Sequence, residues 1–259
     1  MIGMQRRFIL EKEDLRIPVK VTESDFGDAR RIVLGVHGMG GSTEDDIQVS
    51  LAEEMGFFSS HTVQFDFPAH GQNPCDELTL DKCLRSLLAV ASYARQTWPE
   101  VEDLCIFATG FGAYVTLAVL DELLEMPGSI KLVVQTPSVM MHETVLAMKN
   151  ISRETLWAMD HVTFNADRPF EITYSFYEEL CGHIVLVTHA IPMLILHGEE
   201  DSYIKMEHIR HFHLINHDAK LVIIPGTSHR FLEEGAWDMV LDLTRDWFEF
   251  EQVLLADYD

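Results

Sequence analysis

Asp103-Leu104-Cys105-Ile106-Phe107-Ala108-Thr109-Gly110-Phe111-Gly112-Ala113 is the stretch on which the reading of this chain turns. Its first six residues place an unbroken apolar run behind one acid, the pattern of a strand buried on both faces of a sheet. Small residues then crowd a turn, and an apolar helix over Ala113–Leu124 follows. Two residues before and after Gly110 stand Ala108 and Gly112, whereas two before and after Thr109 stand Phe107 and Phe111. Gly110 itself has no side chain.

The same alternation extends outward in both directions. Compact apolar runs at 30–38, 61–67, 130–137, 192–198 and 219–226 read as further strands, three of them closing on glycine. Helical spacing appears near Ile47–Met55, over Leu80–Tyr93, and in a closing amphipathic stretch through Trp237, Val240, Leu241, Trp247 and Phe248. Two β-rich segments, Arg6–Leu10 and Ile17–Val21, open the chain around the charged turn Glu11–Arg16. Strands alternating with helices predict an α/β fold with a mostly parallel sheet and helices on both faces. In such a sheet the ligand site lies beyond the carboxyl ends of the strands.

One stretch breaks the rhythm. Residues 138–190 separate two central strands by more than a crossover helix needs, and they are rich in Met, Trp, Phe and Tyr. A long insertion at this point is expected to be a helical lid. The division that follows is a core of 1–137 and 191–259 with a cap of 138–190. Most of the cap's apolar residues should pack its own interior, and some should face an apolar pocket. Met140 and Trp157 are expected pocket residues, with His37 and Gly38 on the facing strand end.

Short signatures fall at the ends of these strands. His37-Gly38-Met39-Gly40-Gly41 is a glycine turn whose N–H groups could face a cleft and hold an oxyanion. Asp66-Phe67-Pro68-Ala69-His70-Gly71 is a tight turn, in which His70 carries little catalytic weight. His197-Gly198-Glu199-Glu200-Asp201 supplies an acid and Gly226-Thr227-Ser228-His229 a histidine. Each is unspecific alone; in this order, each at a strand end, they are specific together. From Ile32 onward the chain resembles the α/β-hydrolase superfamily, of the lidded serine-esterase and lipase type. The turns match its D-x-P-G-H-G, H-G-x-x-D and G-x-x-H patterns, with Ala69 in place of the usual glycine and Asn73 in place of a serine.

The resemblance implies a nucleophile elbow between this strand and helix, so tight that residues two before and two after its tip must be small, which puts Gly110 and not Thr109 at the tip. It also implies an acid at Asp201, a histidine at His229, and oxyanion donors at the N–H groups of Met39 and Phe111. At the elbow the family's serine is missing. Such an elbow is strained, and glycine relieves the strain while deleting acyl-enzyme chemistry. The local Gly-Phe-Gly-Ala-Tyr string is also similar to that of the N-myc downstream-regulated family, whose members have this fold without enzymatic activity. Three readings stay open: a natural pseudo-enzyme binding a small apolar or acyl ligand, a serine esterase whose nucleophile was replaced by Gly110, and an enzyme in which His229 and Asp201 act as a general base without a covalent step. An interaction or scaffold role is the alternative of another class. Ser42, Ser138 and Ser228 are weak substitute nucleophiles, and Cys105, mid-strand, is expected to be inert.

Composition narrows the partners. The 259 residues are 47% hydrophobic and 24% charged, an ordinary globular balance. A formal net charge of −23 argues against nucleic acid and anionic membrane surfaces. No run reaches the roughly 18 apolar residues of a membrane span, and no signal peptide is legible. The four cysteines lack metal-ligand spacing and are expected to be buried free thiols in a reducing cytoplasm. His208, His211, His213 and His217 look like a metal cluster, but their helical offsets spread them around the axis. Neither a metal nor a cofactor is called for. Oligomeric state is not legible.

Overall fold

The computed structural model describes residues 3–24, 26 and 29–251. The chain opens with an antiparallel hairpin, β1 (Gln5–Lys12) and β2 (Leu15–Thr22), whose turn is tighter than the sequence suggested. Next come β3 (Arg31–Val36), α1 (Asp46–Phe57), β4 (Ser60–Phe65), α2 (Leu80–Thr97) and β5 (Asp103–Thr109). The helix expected over Ala113–Leu124 begins earlier, at the elbow itself, and is broken at Val119 into α3 (Gly110–Ala118) and α4 (Leu120–Leu124). β6 (Ser129–Gln135) follows.

The insertion comes next. It holds α5 (Met141–Lys149), α6 (Arg153–Met159), β7 (His161–Phe164), β8 (Phe170–Thr173) and α7 (Tyr174–Gly182). Beside the helices expected of this segment, β7 and β8 pair as an antiparallel hairpin that the sequence reading did not foresee. The alternation of buried Val162, Phe170 and Ile172 with exposed neighbours gives each short strand one apolar face. Ser152 and Thr173 cap α6 and α7, each hydroxyl accepting the N–H three residues on, from Thr155 and Phe176. The chain returns through β9 (Met193–Gly198), α8 (Met206–Ile215), β10 (Lys220–Ile224) and α9 (Ala236–Phe250).

Eight strands form one sheet in the order β1-β2-β4-β3-β5-β6-β9-β10, parallel from β4 to β10. Period-two alternation splits its residues between two cores. From β5, Leu104, Ile106 and Ala108 face a core with α2, α3, α8 and the insertion. Cys105 and Phe107 face a second core with Leu51 and Met55 of α1 and Val240, Trp247 and Phe248 of α9. Both faces are thus dry, which is why β5 reads as a continuous apolar run. The chain runs one way from β3 to β4 and the other way to β5, so β3 and β5 flank the point where strand order reverses. Loops leaving their carboxyl ends diverge there and open a crevice.

Candidate functional site

The crevice is about 660 Å³, within the range of small-molecule sites. Gly110 lies on its floor with φ +50°, in the left-handed region. A Cβ built on it would meet nothing within 4 Å, so the space in front of the elbow is open. The steric reading of the turn has a visible cause at Gly112, where a Cβ would meet the carbonyl oxygens of His37 and, at 2.8 Å, Val36. The end of β3 lies against α3, and only a residue without a side chain allows it. Phe111 is the second residue of α3, so its N–H is among those with no intrahelical carbonyl to bond. Met39, across the crevice floor, and Phe111 both border the cleft.

Asp201 and His229 come together from loops 28 residues apart. His229 Nδ1 donates to Asp201 Oδ2 at 2.7 Å. Oδ1 of the same carboxylate accepts the N–H groups of Tyr203 (2.8 Å) and Ile204 (3.0 Å). Burial pushes the Asp201 carboxyl up, but the bond and charge of His229 and the two backbone donors outweigh it and hold it below the ordinary range. The carboxylate is thus an ionised orienter that fixes which imidazole nitrogen bears hydrogen. His229 borders the cleft with Gly110, and the ring of Tyr203 meets it edge-on at 5.2 Å.

The other expected residues fall in different places. Gly38 lines the cleft and presses on Thr109, its built Cβ 3.3 Å from the threonine hydroxyl. His37 lies beneath that loop, 1% exposed, its Nδ1 bonded to the Gly38 carbonyl (2.8 Å) and its Nε2 accepting the Phe67 N–H (3.1 Å). It braces the turn and does not line the cleft. Met140 packs against the core, and its neighbour Met141 and the later Met148 reach the cleft instead. Trp157, on α6, is 68% exposed and is not among the residues that line the cleft. His70 is buried, its Nδ1 bonded to the Pro68 carbonyl (2.8 Å), and burial, with His37 beside it, lowers it to about 3. Ala69 holds φ +64°, which accounts for glycine being usual there.

Cleft residues not singled out from sequence include Asp45, Gln135, Thr136, Lys149 and Arg230. Acidic Glu44, Asp45, Asp46 and Asp167 share the lining with Met39, Met141, Met148, Phe164, Leu232 and Trp237. The site is therefore less apolar than expected, because loops at strand ends, not core helices, supply one wall. Burial raises the Asp45 carboxyl against the pull of His37, Ser42 and Arg230. Of the substitute nucleophiles, Ser42 and Ser138 border the cleft and Ser228 does not. Cys105 is buried, its thiol pushed up to about 12. All four cysteines are unpaired, and Cys181 is exposed. Among the described residues no group of His, Cys, Asp and Glu could hold a metal ion, and no helix is long and apolar enough to cross a membrane.

The sequence matches no protein-family model and no curated protein. Solved structures do match it. Est1E from Butyrivibrio proteoclasticus with bound ferulic acid superposes with TM-score 0.76 at 20% identity, over 95% of this chain and 98% of that one. A soluble variant of monoglyceride lipase from Saccharomyces cerevisiae, in complex with a substrate analogue, gives 0.76 at 12% identity over 96% of each chain. Alpha/beta hydrolase domain-containing protein 10 from mouse gives 0.73 at 15% identity, over 95% of this chain and all of that one. These identities speak to architecture alone. With the sheet order, the crossovers and the site at the strand-order reversal, they establish that the chain has the α/β-hydrolase fold.

Proposed function

We propose that this protein is a hydrolase-fold member of the carboxylic-ester hydrolase type that binds an acyl or ester ligand in its cleft and lacks the covalent step. The observation that carries the reading is the contrast around the elbow. The His229–Asp201 pair is assembled at 2.7 Å, while open space stands over a Gly110 that has nothing to attack with. An open cleft of about 660 Å³ favours ligand work over a purely structural scaffold. In this reading Met39 and Phe111 donate their N–H groups to an acyl oxygen, and residues 138–190 act as the lid.

The pair also supports a second reading. With Nδ1 held by Asp201, Nε2 of His229 is free to accept a proton from water, a general base without an acyl-enzyme. Loss of a triad nucleophile can leave roughly 10³–10⁴-fold catalysis over water. Rapid-mixing assays of 4-nitrophenyl acetate and butyrate, with the protein and its Gly110→Ser variant, separate the cases. The expected result is no burst from the protein and a burst stoichiometric with enzyme from Gly110→Ser. Steady turnover by the unsubstituted protein that is abolished by His229→Ala, without a burst, would favour the general base. Silence from both proteins would sink the esterase reading.

A further inference from the structure

Next to the elbow, the floor of the cleft carries a set of polar groups that neither the acid–base pair nor the oxyanion donors account for. Thr109 and Gln135 are register partners at the ends of β5 and β6. Gln135 lines the cleft yet is only 4% exposed, and its Oε1 has no hydrogen-bond partner among the described residues. Ser138, 2% exposed, lines the same floor. The Thr109 hydroxyl accepts no N–H from the helix that it precedes, and the backbone N–H of Ser138 donates to the Gly110 carbonyl at 3.3 Å.

The backbone between them is strained. Thr136 holds φ +43°, a true outlier for a β-branched residue. It is kept there by its N–H bond to the Leu196 carbonyl (2.7 Å) on one side and the Ser138–Gly110 bond on the other. A left-handed β-branched residue beside a buried, unpartnered carboxamide is an arrangement that folding alone disfavours. Strain and orphaned polar groups of this kind collect where a ligand completes the structure.

We infer that Gln135, Thr109 and Ser138 form an uncharged recognition floor that binds a neutral hydroxyl group of the ligand, directly beside Gly110. The inference rests on the reading of the cleft as a ligand site. A hydroxyl both donates and accepts, as does each member of this floor; the carboxamide can present either end by rotation about χ3. Lys149 and Arg230 line the same cleft with Glu44, Asp45, Asp46 and Asp167, a balance that disfavours an anion. The floor itself, Gln135, Thr109 and Ser138, carries no charge to pair with either kind of ion. The rest of the ligand would lie against Met141, Met148 and Phe164.

The test is an NMR titration of the full chain with 3-phenylpropan-1-ol, 3-phenylpropanoate and 3-phenylpropylammonium, following the amides of Met39, Phe111 and Gln135. The alcohol is expected to bind about ten-fold more tightly than either ion, which pays for desolvation without a paired charge. Gln135→Leu and Ser138→Ala should each weaken the alcohol about five-fold, the loss of one neutral hydrogen bond. Gln135→Leu should do so with its unfolding midpoint held or raised, since it removes an orphaned buried amide; a purely structural glutamine would lower the midpoint and leave affinity alone. Alcohol binding at the cleft that neither variant changes, or ions that bind as well as the alcohol, would overturn this inference while leaving the cleft reading intact. If none of the three probes moves the cleft amides, both fall.

Discussion

Gly110 presents no side chain at the tip of its turn and permits the left-handed backbone found there. At φ +50° a side chain costs about 1–2 kcal/mol. Gly110→Ala and Gly110→Ser should therefore both lower the thermal midpoint, by roughly 2–8 °C for a chain of this size. Space is no obstacle, since nothing lies within 4 Å of the added carbon. Thermal unfolding of both variants checks this, and an unchanged midpoint would mean that the turn relaxes out of the left-handed region. The identity of Gly110 was readable from its small neighbours. Gln135 was not, because only the β5–β6 register sets it beside the elbow.

At the scale of elements, two contacts hold the cleft's walls. Gly112 lets α3 approach the end of β3, and Gly112→Ala should push Val36 and His37 away. Overpacking of this kind costs about 1–3 kcal/mol, and with it the loop carrying Gly38 and Met39 should shift. Denaturant unfolding would detect the loss; a neutral substitution would refute the close approach. The insertion is fastened by Arg168, whose guanidinium donates to the carbonyls of Gly71 (3.2 Å) and Asn73 and pairs with Asp76. Arg168→Ala should speed amide exchange across Val162–Thr173 and leave β5 protected. Equal protection in both proteins would show that the hairpin is held by its own apolar face. The hairpin escaped sequence reading because each strand is four residues long, too short for period two to stand out among aromatics.

For the molecule as a whole, acid stability follows from buried neutral histidines. His197 has both ring nitrogens buried without partners, and burial, with His229 nearby and against the pull of Asp201, lowers it from 6.5 to about 4. Burial lowers His70 likewise, to about 3. Below pH 6.5 the unfolded chain takes up protons that the folded chain refuses, so stability is full above that pH and declines as pH falls toward 4. Each histidine adds a slope of up to about 1.4 kcal/mol per pH unit. Unfolding free energies at pH 7, 6 and 5 should show the decline, and His197→Phe should make it shallower; an unchanged slope would assign the acid sensitivity elsewhere.

What the sequence determined by itself is the set of features written in local, periodic physics. Apolar runs and helical spacing placed every strand of the main sheet, and small residues around Gly110 located the elbow. Glycine and acid turns at strand ends marked Asp201 and His229. What only the tertiary structure decided is which side chains meet across elements. The 2.7 Å bond between loops 28 residues apart, the turning of Trp157 to solvent, the replacement of Met140 by Met141 and Met148, and the polar lining of the cleft all depend on how helices and loops rotate as they pack. A helix face turns by about 100° per residue, so one residue of phase exchanges cleft for solvent, and that phase is set by contacts distant in sequence.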